Sequence, residues 1–540
     1  MSVLVALLAL GVGFQETGWR QGIVVCTTGE NAGRAGLKVL KDGGTAADAV
    51  AATALCQVVE CGGCYVSAAG IYTMVYYDAA TGKITYLDAG YNVPSGEMDA
   101  NSIPAVDSGR TALVPGFMAG IEATWSKFGK RTRAQVFEPA IRLAEDGFKI
   151  DPILGSQIVA RRGLLSRTPE GKSIFTRPDG SFYKTGDLFR QPALAETFRH
   201  VAAEGAKYMY TGAWAKHLVD AVQRKSGKLL LDDLARYKPI WQEPVRGKFR
   251  DYEIAASGYA SQGGVSMVEG LNLVELANLR KSGHFTQSSE SLFNLMQISH
   301  CMALGYLSDD TLKTFLGHDL RSASRVKKET SAWLWGQIKE GKLPWTLKEK
   351  APGHSDGIIA VDKWGNVAVV THSINTTSWG DTGIFVDGVS IPDSAAIQPY
   401  AVRMAGPGNH LPAATIPLIV LRNGKPWLAS SAIGGGLHSQ TLQVLTSMLD
   451  FGWDMEKAAK APAFLLADFF DTTAVDCIPK GQFDQGLIDK VQAMGQKVRV
   501  SSEPEVYGKL GYWIGVRIDA KTGRLSGAGT PLLPIQWLGY

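Results

Sequence analysis

Charge of one sign is scarce in this sequence. Lys and Arg total 55 against 51 Asp and Glu, which leaves a formal +4 over 540 residues. A surface that holds nucleic acid by charge is thereby excluded. Cysteine is also scarce: Cys26, Cys56, Cys61, Cys64, Cys301 and Cys477 are too few for a disulfide scaffold at this length. Cys61 and Cys64 form a C-x2-C, but no second pair of ligands follows, so the segment reads as a buried glycine-rich loop and no metal is expected. No apolar run reaches the ~18 residues of a membrane-spanning helix, so no stable membrane insertion is expected. The run Val3 to Val12 is shorter; residues 1–21 read as a signal or N-terminal segment. No Lys or Arg precedes that run and no clean A-x-A site follows it. The reading favours a periplasmic or secreted protein over a cytoplasmic one. A strand-to-helix nucleophile elbow, H-E-x-x-H, a phosphate-binding P-loop and a dinucleotide glycine pattern are all missing.

What is abundant is apolar residues, at 45%, and glycine, at 61 residues. That composition buries a large core and turns the chain often. Thr45 and Asp48 are spaced as an N-cap and its N3 partner, opening a helix of small residues through Val59. Residues 71–88 read as a hairpin. From about 115 to 350 the spacing is mostly helical, with helices over 117–128, 136–144, 268–281, 288–306, 309–316 and 325–340. Near 357 the period changes, and hairpins follow over 358–374, 417–431 (turning at Asn423-Gly424) and 512–529. Antiparallel sheets covered by helices, an α+β fold in layers, are expected.

One string draws attention: Gly353-His354-Ser355-Asp356-Gly357, placed directly before a strand. Alone it reads as a turn. The return strand, however, carries Ser373 and Asn375, and Ala432-Ile433-Gly434-Gly435-Gly436 ends a later strand with backbone N–H groups suited to an oxyanion.

Over nearly its whole length, from about residue 22 to Tyr540, the sequence resembles the γ-glutamyltransferase family of N-terminal-nucleophile hydrolases. The likeness rests on Leu37 to Ala49 (LKVLKDGGTAADA), Leu113-Val114-Pro115-Gly116 with Gly120, Asp233 to Lys238 (DLARYK) and Ser261-Gln262-Gly263-Gly264. It continues in Val361 to Asn366 (VDKWGN), Gly434-Gly435 and the closing Gly539-Tyr540. The resemblance implies a four-layer αββα sandwich without a cofactor, made as one precursor that cuts itself before a hydroxyl residue. The family's nucleophilic Thr lies seven residues before the Asp of the V-D-K-x-G-N turn, and that position here is Ser355. The cut would then fall between His354 and Ser355, giving a large subunit, 22–354, and a small subunit, 355–540, that stay together as one unit. The freed α-amine, titrating near 8 rather than the ~10 of a Lys amine, would serve as the base. By resemblance Ser373 (usually Thr) hydrogen-bonds near that amine, Asn375 stands beside the acyl group, and Gly434 and Gly435 offer N–H groups to the oxyanion.

The substrate clamp departs from the family. The Arg that holds a γ-glutamyl α-carboxylate is Gly90 here, followed by Tyr91. The Ser-Ser pair that also binds that carboxylate is Ala413-Ala414, and the Asn-rich acidic segment for the α-ammonium aligns with Pro392 to Ile397, where Asp393 keeps a polar group. Tyr91, Trp364 and Trp379 are candidate lining aromatics, with ordinary core packing as the plainer role for each. An unpaired buried carboxylate is costly, so the three losses together fit a pocket for a neutral or apolar acyl group. The expectation is an amide hydrolase with small-molecule amide substrates and water or an amine as acceptor. The alternatives are a γ-glutamyl hydrolase or transpeptidase of glutathione-type substrates, and an inactive relative that only binds.

Overall fold

A computed structural model describes residues 18–307, 309–342, 355–465, 476–502, 511–531 and 534–540. Two antiparallel sheets lie at its centre. The first has seven strands in the order Gln536–Gly539, Ile23–Cys26, Ser355–Val361, Val367–Ser373, Ile71–Asp78, Lys83–Ala89 and Ile240–Gln242. The second has six: Leu525–Gly529, Tyr512–Ile518, Lys425–Ile433, Leu418–Arg422, Tyr252–Ala256 and Val245–Phe249.

Side-chain alternation builds the layers. Ile23, Val25, Ile359, Val361 and Val369 turn inward and meet Ile419, Leu421, Ala429, Ile514 and Val516 of the other sheet. Their neighbours Val24, Cys26, Ile358, Ala360 and Val370 turn outward into a core shared with the helices Ala46–Glu60 and Phe117–Phe128. On the far side Leu418, Val420, Leu428 and Trp513 pack under the helices Gln262–Ala277, Ser289–Met302 and Leu437–Leu445. The result is an α+β sandwich of four layers, αββα.

Local chemistry explains why these elements start where they do. Thr45 and Asp48 form the expected capping box at Ala46–Glu60. Asp48 also accepts the Lys130 and Arg131 N–H groups, so one carboxylate ties two helical segments together. Asp362, in the turn of the first hairpin, accepts from the backbone N–H groups of Trp364, Asn366 and Ala46 and from the Asn366 amide. The V-D-K-W-G-N string is therefore a lock between hairpin and helix. At Asn423-Gly424 φ is 53° and 72°, the left-handed pair that a tight two-residue hairpin turn requires.

The reading of 115–350 as mostly helical misses the strands Ile240–Gln242, Val245–Phe249 and Tyr252–Ala256, and the two-residue pair Phe148–Lys149 and Leu188–Phe189. They are short, and Gly247 carries no β signal; a Cβ there would lie 2.7 Å from Val268 Cγ1 of the covering helix. Each sheet contains strands from both sides of the His354–Ser355 bond, interleaved in the first sheet and side by side in the second. Among the described residues no helix is long and apolar enough to cross a membrane.

Candidate active site

Strand register assembles the nucleophile side. Ser355 opens its strand directly opposite Ser373, the last residue of the neighbouring strand. Opposed side chains on one sheet face have Cβ atoms about 5 Å apart, and Ser355 Oγ donates to Ser373 Oγ at 2.9 Å. Ser373 Oγ also accepts the Asn375 backbone N–H at 2.8 Å. Asn375 sits at φ 50°, a conformation Asn tolerates better than most residues. Between them, Ile374 gives its N–H to Tyr65 O at 3.1 Å and takes hydrogen bonds on its carbonyl from Tyr91 Oη (3.2 Å) and Ser394 Oγ (2.6 Å). The turn that carries Asn375 is thus held at every backbone group of Ile374. His354, on the other side of the expected cut, lies outside the described residues.

The second sheet supplies the opposite wall. Ser431 Oγ lies 2.9 Å from Thr371 Oγ1, and a Cβ on Gly357 would be 3.2 Å from the same oxygen. The inner strand Lys425–Ile433 therefore lies against the Ser355–Ser373 hairpin at Ser431, and Gly434 and Gly435 follow at its end. Gly434 adopts φ 85°, and its carbonyl accepts the Leu437 N–H at 3.2 Å, opening the helix Leu437–Leu445. The glycine turn leads through the N-cap Gly436 into a helix N-terminus, where partial positive charge favours an anion.

Asp356 was not singled out by sequence reasoning. It faces the helix layer, completely buried, and accepts hydrogen bonds from Thr27 Oγ1 (2.8 Å) and Thr28 Oγ1 (2.6 Å). Burial outweighs those two donors and pushes its carboxyl up to about 7. Its cross-strand neighbour His372, bonded to Gln57 Oε1 at 2.8 Å, is pushed down to about 3 by the same burial. The only available signal was an acidic residue opening an otherwise apolar strand.

The recognition side is built from loops. Tyr91 reaches the site through Ile374 as described. Gly90 faces His410, whose Cε1 would lie 2.8 Å from a Cβ at that position. Ala413 O accepts from Ser261 Oγ (2.6 Å) and Gln262 N–H (3.0 Å), while Ala414 O accepts from His438 Nε2 (2.8 Å). The two alanines thus spend their carbonyls on the starts of two helices, and their side chains offer only methyl groups.

Three expected pocket residues are placed otherwise. Trp379 is turned into the helix-side core, its Nε1 donating to Gly62 O at 2.8 Å and its ring edge-on to Phe175. Trp364 sits in the Val361–Val367 turn, at the opposite end of the hairpin from Ser355, half exposed under Lys130 Nζ at 3.6 Å from the ring centre. Asp393 is buried, with one oxygen taken by Thr376 Oγ1 and the other by the Asp381 N–H. It braces the 376–381 loop. Burial raises its carboxyl above the ordinary range. Cys61 and Cys64 are both free, and burial pushes the Cys61 thiol up to about 12, far from a metal-binding thiolate. Among the described residues no group of three or more His, Cys, Asp or Glu could hold a metal ion.

With this geometry in place, comparison with known proteins defines the class. Residues 32–530 match the family description Gamma-glutamyltranspeptidase. The chain belongs to the γ-glutamyltranspeptidase family, an N-terminal-nucleophile group of amide hydrolases and transferases. A Bacillus subtilis protein named glutathione hydrolase proenzyme is 28% identical, covering 93% of this chain and 89% of its own. A Pseudomonas protein named acylase ACY 1 proenzyme is 25% identical over 68% of this chain and 66% of its own. In three dimensions, the cephalosporin acylase of Bacillus halodurans superposes with a TM-score of 0.81 at 20% identity, covering 98% and 97% of the two chains. Helicobacter pylori γ-glutamyltranspeptidase gives 0.51 at 26% identity, covering 61% of this chain and 93% of that one.

Proposed function

We propose that this chain is a self-processing amide hydrolase that forms an acyl ester on Ser355 and takes neutral or apolar acyl groups. The observation that carries the reading is the Ser355 Oγ to Ser373 Oγ hydrogen bond at the head of an inner strand. It supports a hydroxyl nucleophile at Ser355, the position that the resemblance gives to the family's own, with Ser373 as its acceptor.

In the precursor, Ser355 Oγ attacks the carbonyl carbon of His354 and the C–N bond breaks, leaving an ester and a free amine on Ser355. Water hydrolyses the ester and the small subunit begins at Ser355. The α-amine, with an ordinary value near 8, then accepts the hydroxyl proton as Oγ attacks the substrate amide. Gly434 and Gly435 N–H groups face the oxyanion, worth roughly 3–4 kcal/mol per donor. The leaving amine takes the proton, and water or an acceptor amine releases the acyl group from Ser355. Ser373 fixes the hydroxyl and Asn375 borders the acyl group.

The neutral-acyl part of the reading is supported by Gly90, by the methyl-only Ala413-Ala414 and by the internally satisfied Asp393. Two described arginines that could stand in for the clamp are engaged elsewhere. Arg161 is paired with Asp381 at 2.6 Å and also donates to Gly380 O, while Arg403 reaches Asn101 on the surface. Intact-mass measurement tests the processing step. Wild type is expected as two chains divided before Ser355, and Ser355→Ala as one. A fully active, uncut wild type would overturn the reading.

A further inference from the structure

The His410 imidazole occupies the space in which a side chain at position 90 would stand. A Cβ built on Gly90 meets His410 Cε1 at 2.8 Å and Nε2 at 3.2 Å. The ring is fixed there by its own chain, because Leu411 N–H bonds Tyr91 O (2.8 Å) and Val93 N–H bonds Asn409 O (2.9 Å), laying 409–411 along 91–93. Its Nδ1 lies 3.1 Å from Asn92 Oδ1. Its Nε2 lies 3.2 Å from Asp88 Oδ1, an electrostatic contact rather than an aligned hydrogen bond.

Asp88 is fully buried. Its Oδ1 accepts the Gly90 N–H at 2.8 Å and its Oδ2 accepts Tyr86 Oη at 3.0 Å. The place of this corner relative to the nucleophile follows from the sheet. Asp88 pairs with Thr73, Thr73 with Thr371 and Thr371 with Gly357, two residues from Ser355. Three strand spacings of about 14 Å and a two-residue offset of about 7 Å along the strand make roughly 16 Å to Ser355, the span that an extended acyl chain and the side chain recognising it would share.

We propose that His410, held against Asp88, is the specificity-determining residue of the acyl pocket and restricts it to acyl groups without a terminal carboxylate. This rests on the amide-hydrolase reading above. The donor argument is direct. His410 Nδ1 faces Asn92 Oδ1 and its Nε2 faces Asp88 Oδ1, so neither ring nitrogen is left for a ligand carboxylate, whereas an Arg at position 90 would bring five donors. A ligand carboxylate would lie beside the Asp88 oxygen with nothing left to neutralise it. The ring also fills the volume through which a longer basic side chain at position 90 would have to extend.

Two p-nitroanilides test this with minimal ambiguity. Pentanoyl and glutaryl anilides have the same chain length and differ in a terminal methyl against a carboxylate, and kcat/KM on each is measured with the two-chain protein. Wild type is expected to favour pentanoyl by about a hundredfold. His410→Ala gives more room yet leaves Asp88 without its partner, so the preference for pentanoyl should widen. Gly90→Arg/His410→Ala should move the ratio toward glutaryl by tenfold or more, whereas Gly90→Arg alone should not, because the ring still blocks it. Equal or better turnover of glutaryl by wild type overturns the proposal, as does a glutaryl gain in His410→Ala or in Gly90→Arg alone. Should the arginine variants fail to fold, the wild-type and His410→Ala ratios still decide. A properly divided protein that turns over neither these anilides nor any other amide overturns the parent reading, a result distinct from an active enzyme with the wrong preference.

Discussion

The two sides of the candidate site are constructed in different ways. On the side of the candidate nucleophile, Ser355 faces Ser373 because strand register pairs them, and Asn375 follows in a turn held by Tyr65, Tyr91 and Ser394. On the recognition side Gly90, His410 and Ala413-Ala414 belong to loops, and each contributes through one side chain or its absence. A register cannot change by one substitution without turning a whole strand inside out. A loop side chain can. On the proposed reading, that difference lets a chain keep the family's chemistry while its pocket changes.

Variants can break the comparison, beginning with the largest effect. Ser355→Ala should abolish turnover, by about 10⁴-fold or more, since the other members of a nucleophilic constellation do little without it; a chromogenic amide assay measures the loss. Gly435→Val should lower kcat by about 10²–10³, the usual cost of a disturbed oxyanion donor, while the melting temperature changes little because Gly435 is exposed and not left-handed. An unchanged kcat would remove the glycine turn from the chemistry.

A third variant sharpens the comparison by separating stability from catalysis. Asp356 titrates near 7 in the folded chain, above the ~3.9 of an unfolded Asp. The folded state therefore holds the proton more tightly, and this group's contribution falls as pH rises from about 4 to 7, by at most ~4 kcal/mol. His372, pushed down to about 3, acts oppositely below its ordinary value, so the wild-type curve alone mixes the two. The difference between Asp356→Asn and wild type isolates the carboxyl. Denaturant unfolding should show the variant gaining stability at pH 8 and converging with wild type below pH 4; a difference independent of pH would contradict the assignment. The smallest effect belongs to the bridge between the sheets. Thr371→Val, Ser431→Ala and the double variant should give a coupling of about 1 kcal/mol, with kcat changed less than tenfold. A much larger loss of kcat would mean that recognition and chemistry share this seam.

How much was legible in the sequence follows the same division. The capping box at Thr45, the hairpin turns and the Ser355–Ser373 hairpin rest on short-range patterns of spacing and turn chemistry, and these were readable. The strands at 240–256 were not, because their β character comes from pairing with partners about 160 residues away, such as Ile254 with Val420. Trp364 and Trp379 looked like pocket aromatics because both are large and near the nucleophile in sequence, yet one lies at the wrong end of a hairpin and the other on the wrong side of a turn. His410 carries no local signal. Its role depends on a contact with Gly90, 320 positions earlier, that only the folded chain creates.

Both sheets draw strands from either side of the 354–355 bond, and this bears on the life of the molecule if the proposed cut is made there. Once the chain is divided there, the sandwich is a heterodimer whose interface is its own core. Folding must then precede cutting, as the nucleophile is built only when both halves are in register. After the cut, refolding becomes a bimolecular event that slows with dilution. A single intact chain can be unfolded and recovered alone; a divided one, once unfolded, has to find its other half.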